Sequence, residues 1–185
     1  AQLDASGTLG GGTVLVGGDY QGANPLVQNA LQTYIGPDAK INVDAIVSGN
    51  GGRAGVWADK ATDFRGFITA RGGSHDGNGG LVEVSGKGFL RYRGSADLRA
   101  PRGEAGLLFL DPTDINIVAT GTATPDTLLT GQLFEDTAAI PTSEITIAAL
   151  AAALGNGNVT ISTNNTAGTG AGNINWTGAL DYNGI

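Results

Sequence analysis

The sequence contains one histidine, His75, and it stands beside Asp76 in "GGSHDGNGG". A histidine next to a carboxylate can serve as a general base or a metal ligand. Its setting is a glycine-rich turn, and no G-x-S-x-G nucleophile motif occurs to complete a hydrolytic site. His75 is therefore read as a polar turn residue.

The carboxylates form a second set: Asp44, Asp59, Asp63, Asp76, Glu83, Asp97, Asp111 and Asp114. In parallel β-helix polysaccharide lyases, aligned aspartates bind Ca²⁺ and a Lys or Arg acts as base. That is the enzyme alternative here. Lys60, Arg65, Arg71, Arg91, Arg93 and Arg99 lie among the acids. Ion pairs between neighbouring coils account for both sets, with the carboxylates expected at a solvated surface. The calcium-binding repeat G-G-x-G-x-D-x-U-x does not occur intact. No phosphate-binding G-x-x-x-x-G-K-[ST] loop is present, and the glycine runs precede strands rather than helices. The reading is a non-catalytic chain, with no catalytic, cofactor-binding or metal-binding residues assigned. Trp57, Trp176, Tyr20, Tyr34, Tyr92 and Tyr182 are candidates for a sugar platform, which makes a carbohydrate-binding module a third reading. Trp57 alternates within a strand, which favours packing. Glycosylation sequons begin at Asn158, Asn164 and Asn175.

Composition narrows what can position such residues. Glycine accounts for 32 of 185 residues, more than twice the ordinary share of about 7%. Interior glycines cost a helix about 1 kcal/mol each, so a helical bundle is excluded. Short strands joined by tight turns tolerate them, because glycine supplies the positive φ that turns need. There is no Cys, hence no disulfide and no thiolate metal site. There is also no Met, and the chain reads as a processed or excised segment. No apolar run reaches about 18 residues. The net charge of −7 disfavours nucleic acid as a partner.

A strand motif recurs through the first two thirds. "VLVGG" begins at Val14, "GVWAD" at Gly55, "VEVSG" at Val82 and "LFLDP" at Leu108, with spacings of 41, 27 and 26. An insertion at 19–36, "DYQGANPLVQNALQTYIG", accounts for the long first interval. It reads as a protruding loop or a small helical turn. A period in this range signals a repeat architecture. Twenty-six residues are too few for a propeller blade, and the fixed positions of a leucine-rich repeat are missing. The expectation is a single all-β domain over 1–185. It is a right-handed parallel β-helix of coils of about 26 residues, roughly seven in all. Val14, Val16, Val56, Val82, Val84, Leu108 and Leu110 would point inward and stack in ladders. After Pro112 the pattern loosens into an excursion over 122–157. It carries one short Ala/Leu-rich helix at 143–154, capped by Ser143 or Thr146 and stopped by Gly155.

Several stretches resemble one family: "GGTVLVGGDYQG", "VWADKATDFRGFITARGG", "GGLVEVSGKGFLRYRGSADLRAPRGEAGLLFLDPTDINI" and "ITIAALAAALGNGNVTISTNN". They are similar, in order and over nearly the whole chain, to large exoproteins of the filamentous-haemagglutinin type. The resemblance implies a β-helical segment lying downstream of the family's secretion domain. It also implies an extracellular or cell-surface location, a structural or adhesive role, and an outer-membrane partner in two-partner secretion. Expected partners are neighbouring coils of a longer parent, or copies of the chain stacked head to tail into a fibre. Host or biofilm glycans are the expected ligands.

Overall fold

The computed structural model describes residues 1–121, 142–163 and 170–179. Three parallel sheets account for every strand among them. The chain visits the sheets in rotation. The first pass lays down β1 (Gln2–Asp4), β2 (Thr13–Val16) and β3 (Gln32–Ile35), and the second β4 (Lys40–Asn42), β5 (Arg53–Val56) and β6 (Ala61–Phe64). The third lays down β7 (Phe67–Thr69), β8 (Leu81–Val84) and β9 (Phe89–Tyr92). Then follow β10 (Ser95–Asp97), β11 (Leu107–Leu110), β12 (Ile115–Val118), β13 (Ser143–Thr146), α1 (Ile147–Leu154), β14 (Asn158–Ile161) and β15 (Ile174–Thr177). The all-β, parallel expectation with one short helix holds.

The inward ladders form the core. In the five-stranded sheet Val14, Ala54, Val82, Leu108 and Val159 stand in register, as do Val16, Val56, Val84, Leu110 and Ile161. In the four-stranded sheet Ile41, Ile68 and Ala96 do the same, continuing a row that starts at Leu3, which is 43% exposed on the edge strand. Burying each such aliphatic side chain contributes about 1.5–3 kcal/mol. All seven residues expected to face inward do so, with Val14 and Val16 only partly buried on the first pass.

Four expectations need correction. The repeat core at Gly55 is one residue late, because Ala54 is the partner of Val14 and Val82. A slip of one residue exchanges the two faces of a strand, so Gly55 belongs to the outward row. The segment 19–36 is not wholly an insertion, since its end, Gln32–Ile35, is β3 of the six-stranded sheet. The levels are not seven uniform coils, because the sheets hold four, five and six strands. The helix spans Ile147–Leu154, not 143–154. Ser143–Thr146 alternates buried and half-buried positions and pairs as β13. Thr146 is the cap that forms: its Oγ1 accepts from Ala149 N at 3.1 Å, and Gly155 ends the helix.

The strand order of the six-stranded sheet explains that correction. β12 follows β11 in sequence, yet it does not lie beside β9. β13 occupies the place between β9 and β12. The chain thus leaves one position open and fills it later. Leu90 N donates to Ser143 Oγ at 2.9 Å within this inserted pairing. Next, α1 packs against β10 at the edge of the four-stranded sheet, burying Leu150 and Ala153.

One corner accounts for much of the glycine. A Cβ at Gly52, Gly80 or Gly106 would run into the carbonyl oxygen of Gly12, Gly52 or Gly80 respectively. Here it is close approach of stacked backbones, rather than positive φ, that excludes a side chain.

Candidate functional site

Residues 17–30 leave β2, fold back, and lie along the outer face of the five-stranded sheet. The ends of this strap are tied at its base, where Ala30 N donates to Gly17 O at 2.6 Å. That closed-ended shape is the mark of an Ω-loop. Its tip is a short 3₁₀ turn, Tyr20–Gly22, begun by Asp19, whose side chain accepts from Tyr20 N. The helical-turn expectation holds at Tyr20–Gly22.

The strap crosses every level between the first pass and the fourth. On the second level Arg53 Nη2 meets Asp19 Oδ1 at 2.5 Å, and the guanidinium lies 5.4 Å from the Tyr20 ring centroid. Trp57 fills the space left by Gly18 and Gly22, where a Cβ would strike its ring. Trp57 Nε1 and Asn29 Nδ2 both donate to Asp59 Oδ1 at 3.1 Å. On the third level the backbone N–H of Gln21 donates to both oxygens of Glu83, at 2.9 and 3.1 Å. On the fourth, Gln21 Nε2 reaches Asp111 Oδ2 at 3.1 Å, and Tyr20 stacks on Phe109 with centroids 5.6 Å apart. Gln21 holds φ of 54°, the only positive φ at a non-glycine among the described residues. Such a residue stores strain that its contacts must hold in place.

Beneath the tip lie two carboxylates. Glu83 and Asp111 are each 2% exposed. Burial pushes the Glu83 carboxyl up to about 7. Hydrogen bonds from Gln21 N and the Ser85 side chain oppose the rise, Asp111 adds to it, and Arg53 opposes it weakly. No cation reaches ion-pair distance of Glu83 among the described residues. Asp111 Oδ1 is buried with no hydrogen-bond partner there.

The other acids correct the solvated-surface expectation. Asp44, Asp63 and Asp97 are also buried. Ion pairs between levels do form: Arg71 with Asp44 at 2.6 Å and Arg91 with Asp63 at 3.2 Å. Arg65 with Asp63, and Arg99 with Asp97 at 2.7 Å, pair within a level. The Arg99 hydrogen bonds hold the Asp97 carboxyl below its usual range, and the Asp44 contact raises the Arg71 guanidinium. Asp76 Oδ1 accepts from Gly49 N at 2.8 Å, and Asp114 accepts from Asn173 N at 2.7 Å. His75 is exposed at a turn, its backbone N–H bonded to Val47 O. Among the described residues, no group of three or more His, Asp or Glu is placed to hold a metal ion.

A second feature is a cleft of about 690 Å³ beside the four-stranded sheet. Arg71 and Arg99, with side chains 51% and 62% exposed, stand on successive levels in it. Asp44 and Ser74 add polar groups, and Ile46 and Pro101 add apolar wall. Of the aromatic candidates, Trp57 and Tyr92 are buried, which removes them as a sugar platform. Tyr34 and Trp176 are exposed, on opposite edge strands of the six-stranded sheet. Tyr182 and the Asn164 sequon lie outside the described residues.

Sequence reasoning missed the Glu83 site. The available signal was the outward row Leu15, Gly55, Glu83, Phe109, in which one acid stands among apolar or absent side chains. Compared with known proteins, the chain matches no family model, and the search of curated proteins gave no match.

Proposed function

We propose that this chain is a structural or adhesive segment of an extracellular bacterial surface protein of the filamentous-haemagglutinin type, folded as a right-handed parallel β-helix. The observation that carries the reading is the in-register rotation of the chain through the same three parallel sheets. An architecture of this kind sets its length by its number of passes, and each pass buries its apolar row only against its neighbours. Ion pairs between levels and a strap spanning four of them brace the long axis. These are the demands on a rod that carries load or presents a surface.

The edges suggest the neighbours. Among the described residues, β1, β2 and β3 present one uncovered edge, while at the other β14 and β15 are uncovered and α1 lies over β10. A neighbouring coil, or a second copy, would extend two sheets there and meet a helix at the third. A secretion partner in the outer membrane belongs to the same reading.

The Arg71–Arg99 cleft supports glycan binding as the adhesive activity. Its guanidiniums offer donors on successive levels, about 4.8 Å apart along the strand-stacking direction, and Ile46 and Pro101 offer an apolar floor. The deciding experiment passes polyuronate and neutral glycans over the immobilised chain and monitors unsaturated products with Ca²⁺ present. Saturable retention without turnover, lost in Arg71→Ala/Arg99→Ala, is expected. Sustained turnover would replace this reading with the lyase alternative.

A further inference from the structure

We propose that residues 17–30 form a pH-gated strap, closed over the five-stranded sheet while Glu83 is protonated and released from it when Glu83 ionises. The geometry is that of a latch. The base of the strap is held by its own hydrogen bond between Ala30 and Gly17, and positive-φ glycines stand at that base, Gly17 at 79°, and within the tip, Gly22 at 59°. The tip is held by contacts to other levels: Gln21 to Glu83 and Asp111, Tyr20 to Phe109, and Asp19 to Arg53. Gln21 keeps its φ of 54° only while those contacts last.

The charges facing Glu83 are unbalanced. The residue after β11 brings Asp111; β5 brings Arg53; the residue after β8 brings the Ser85 hydroxyl; the strap brings Asp19 and the Tyr20 phenol. Arg53 is committed to Asp19. A charged Glu83 therefore shares a buried space with Asp111 and has no cation of its own. The two Gln21 hydrogen bonds offset part of that cost, and the direction of the carboxyl's displacement shows that desolvation wins. A protonated Glu83 supplies an O–H to a space in which Asp111 Oδ1 lacks a donor. Lifting the tip returns Glu83 to water and uncovers Trp57, Leu15 and Phe109, an apolar strip along the outer face.

The sign follows from linkage. The closed state holds the proton up to about pH 7, and the open state releases it near the ordinary 4.5. Between those values the closed state binds more protons, so raising the pH favours opening. From pH 5 to pH 8 the opening equilibrium should rise roughly 50- to 100-fold.

Hydrogen exchange of the 17–30 peptide, corrected for the intrinsic pH dependence of exchange, measures that equilibrium. Wild type should show the rise, levelling off above about pH 7. Glu83→Gln, neutral and nearly isosteric, should keep the strap closed and flat across the range. Asp111→Asn should lower the pH at which the rise levels off. A flat wild type, or an equal rise in Glu83→Gln, would overturn the proposal. Should Glu83→Gln not fold, Asp111→Asn decides alone, and a levelling-off pH unchanged from wild type would overturn it.

Discussion

Two outward rows of the molecule bury charge in opposite ways. On the six-stranded sheet the row runs Tyr34, Asp63, Arg91, Glu144. Asp63 accepts from Arg65 Nε and Nη2 at 3.2 and 3.1 Å, and from Arg91 Nη1 at 3.2 Å. Burial works against the Arg91 charge, and Asp63 works to restore it, with the Phe89 ring 5.4 Å beneath the guanidinium. On the five-stranded sheet the equivalent row runs Leu15, Gly55, Glu83, Phe109, and its acid is covered by backbone N–H and a second acid. Parallel stacking puts like positions about 4.8 Å apart along both rows. A charge in such a row survives burial if the next level supplies its opposite. Where the next level does not, the group gives up its charge instead.

Breaking the paired row should have the largest effect. Asp63→Ala leaves Arg91 buried beside Arg65 with its main counter-charge gone. Removing one partner of a buried pair costs about 3–5 kcal/mol. We expect that loss in denaturant midpoints, nearly constant from pH 6 to 8. A loss below about 1 kcal/mol would mean that water or Glu144 already serves Arg91.

The same kind of neutralisation on the other row should have the opposite sign. Glu83 in the folded chain is pushed up to about 7 from 4.5. Its contribution is fully present below pH 4.5 and is lost as pH rises through 7. Wild type should therefore weaken by up to about 3 kcal/mol between pH 4.5 and 8 on account of this group, less whatever opening of the strap relieves. Glu83→Gln should remove that slope, leaving the variant more stable than wild type at pH 8. Thermal melts at both pH values check it, and a variant less stable than wild type at pH 8 would contradict it.

How far these rows were legible depends on register. The recurring "VLV", "VEV" and "LFL" segments pointed to stacked strands and to the inward ladder, because apolar alternation survives an uncertain start. The outward row does not survive it. Starting the second repeat at Gly55 rather than Ala54 sets Gly55 against Val82 instead of Glu83, so the spacing hides the neighbours of Glu83. The order of β13 and β12 was hidden for another reason. "SEIT" and "INIV" both alternate, and local pattern cannot say which fills the place beside β9. The register puts Glu144 next to Arg91, where β12 would have brought Asn116. That charge match was visible in composition, but only a known strand order shows what it is matched to.

The smallest effect sharpens the comparison within a single strand. Arg91 and Tyr92 are neighbours on β9 that face opposite ways. Outward, Arg91 is satisfied. Inward, Tyr92 stacks on Phe64 with centroids 5.4 Å apart, and its hydroxyl is buried with no hydrogen-bond partner among the described residues. Burial pushes the phenol upward, so it stays neutral and carries an unmet donor into an apolar core. An unsatisfied buried polar group costs about 1–3 kcal/mol, and its removal without loss of shape is neutral or stabilising. Tyr92→Phe keeps the ring and its stack while deleting the hydroxyl. We expect a stability change between zero and about 1 kcal/mol in favour of the variant, read from paired denaturant curves at one pH. A loss of more than 1 kcal/mol would reveal a partner for that hydroxyl, and the inward face of β9 would then be as fully paired as the outward one.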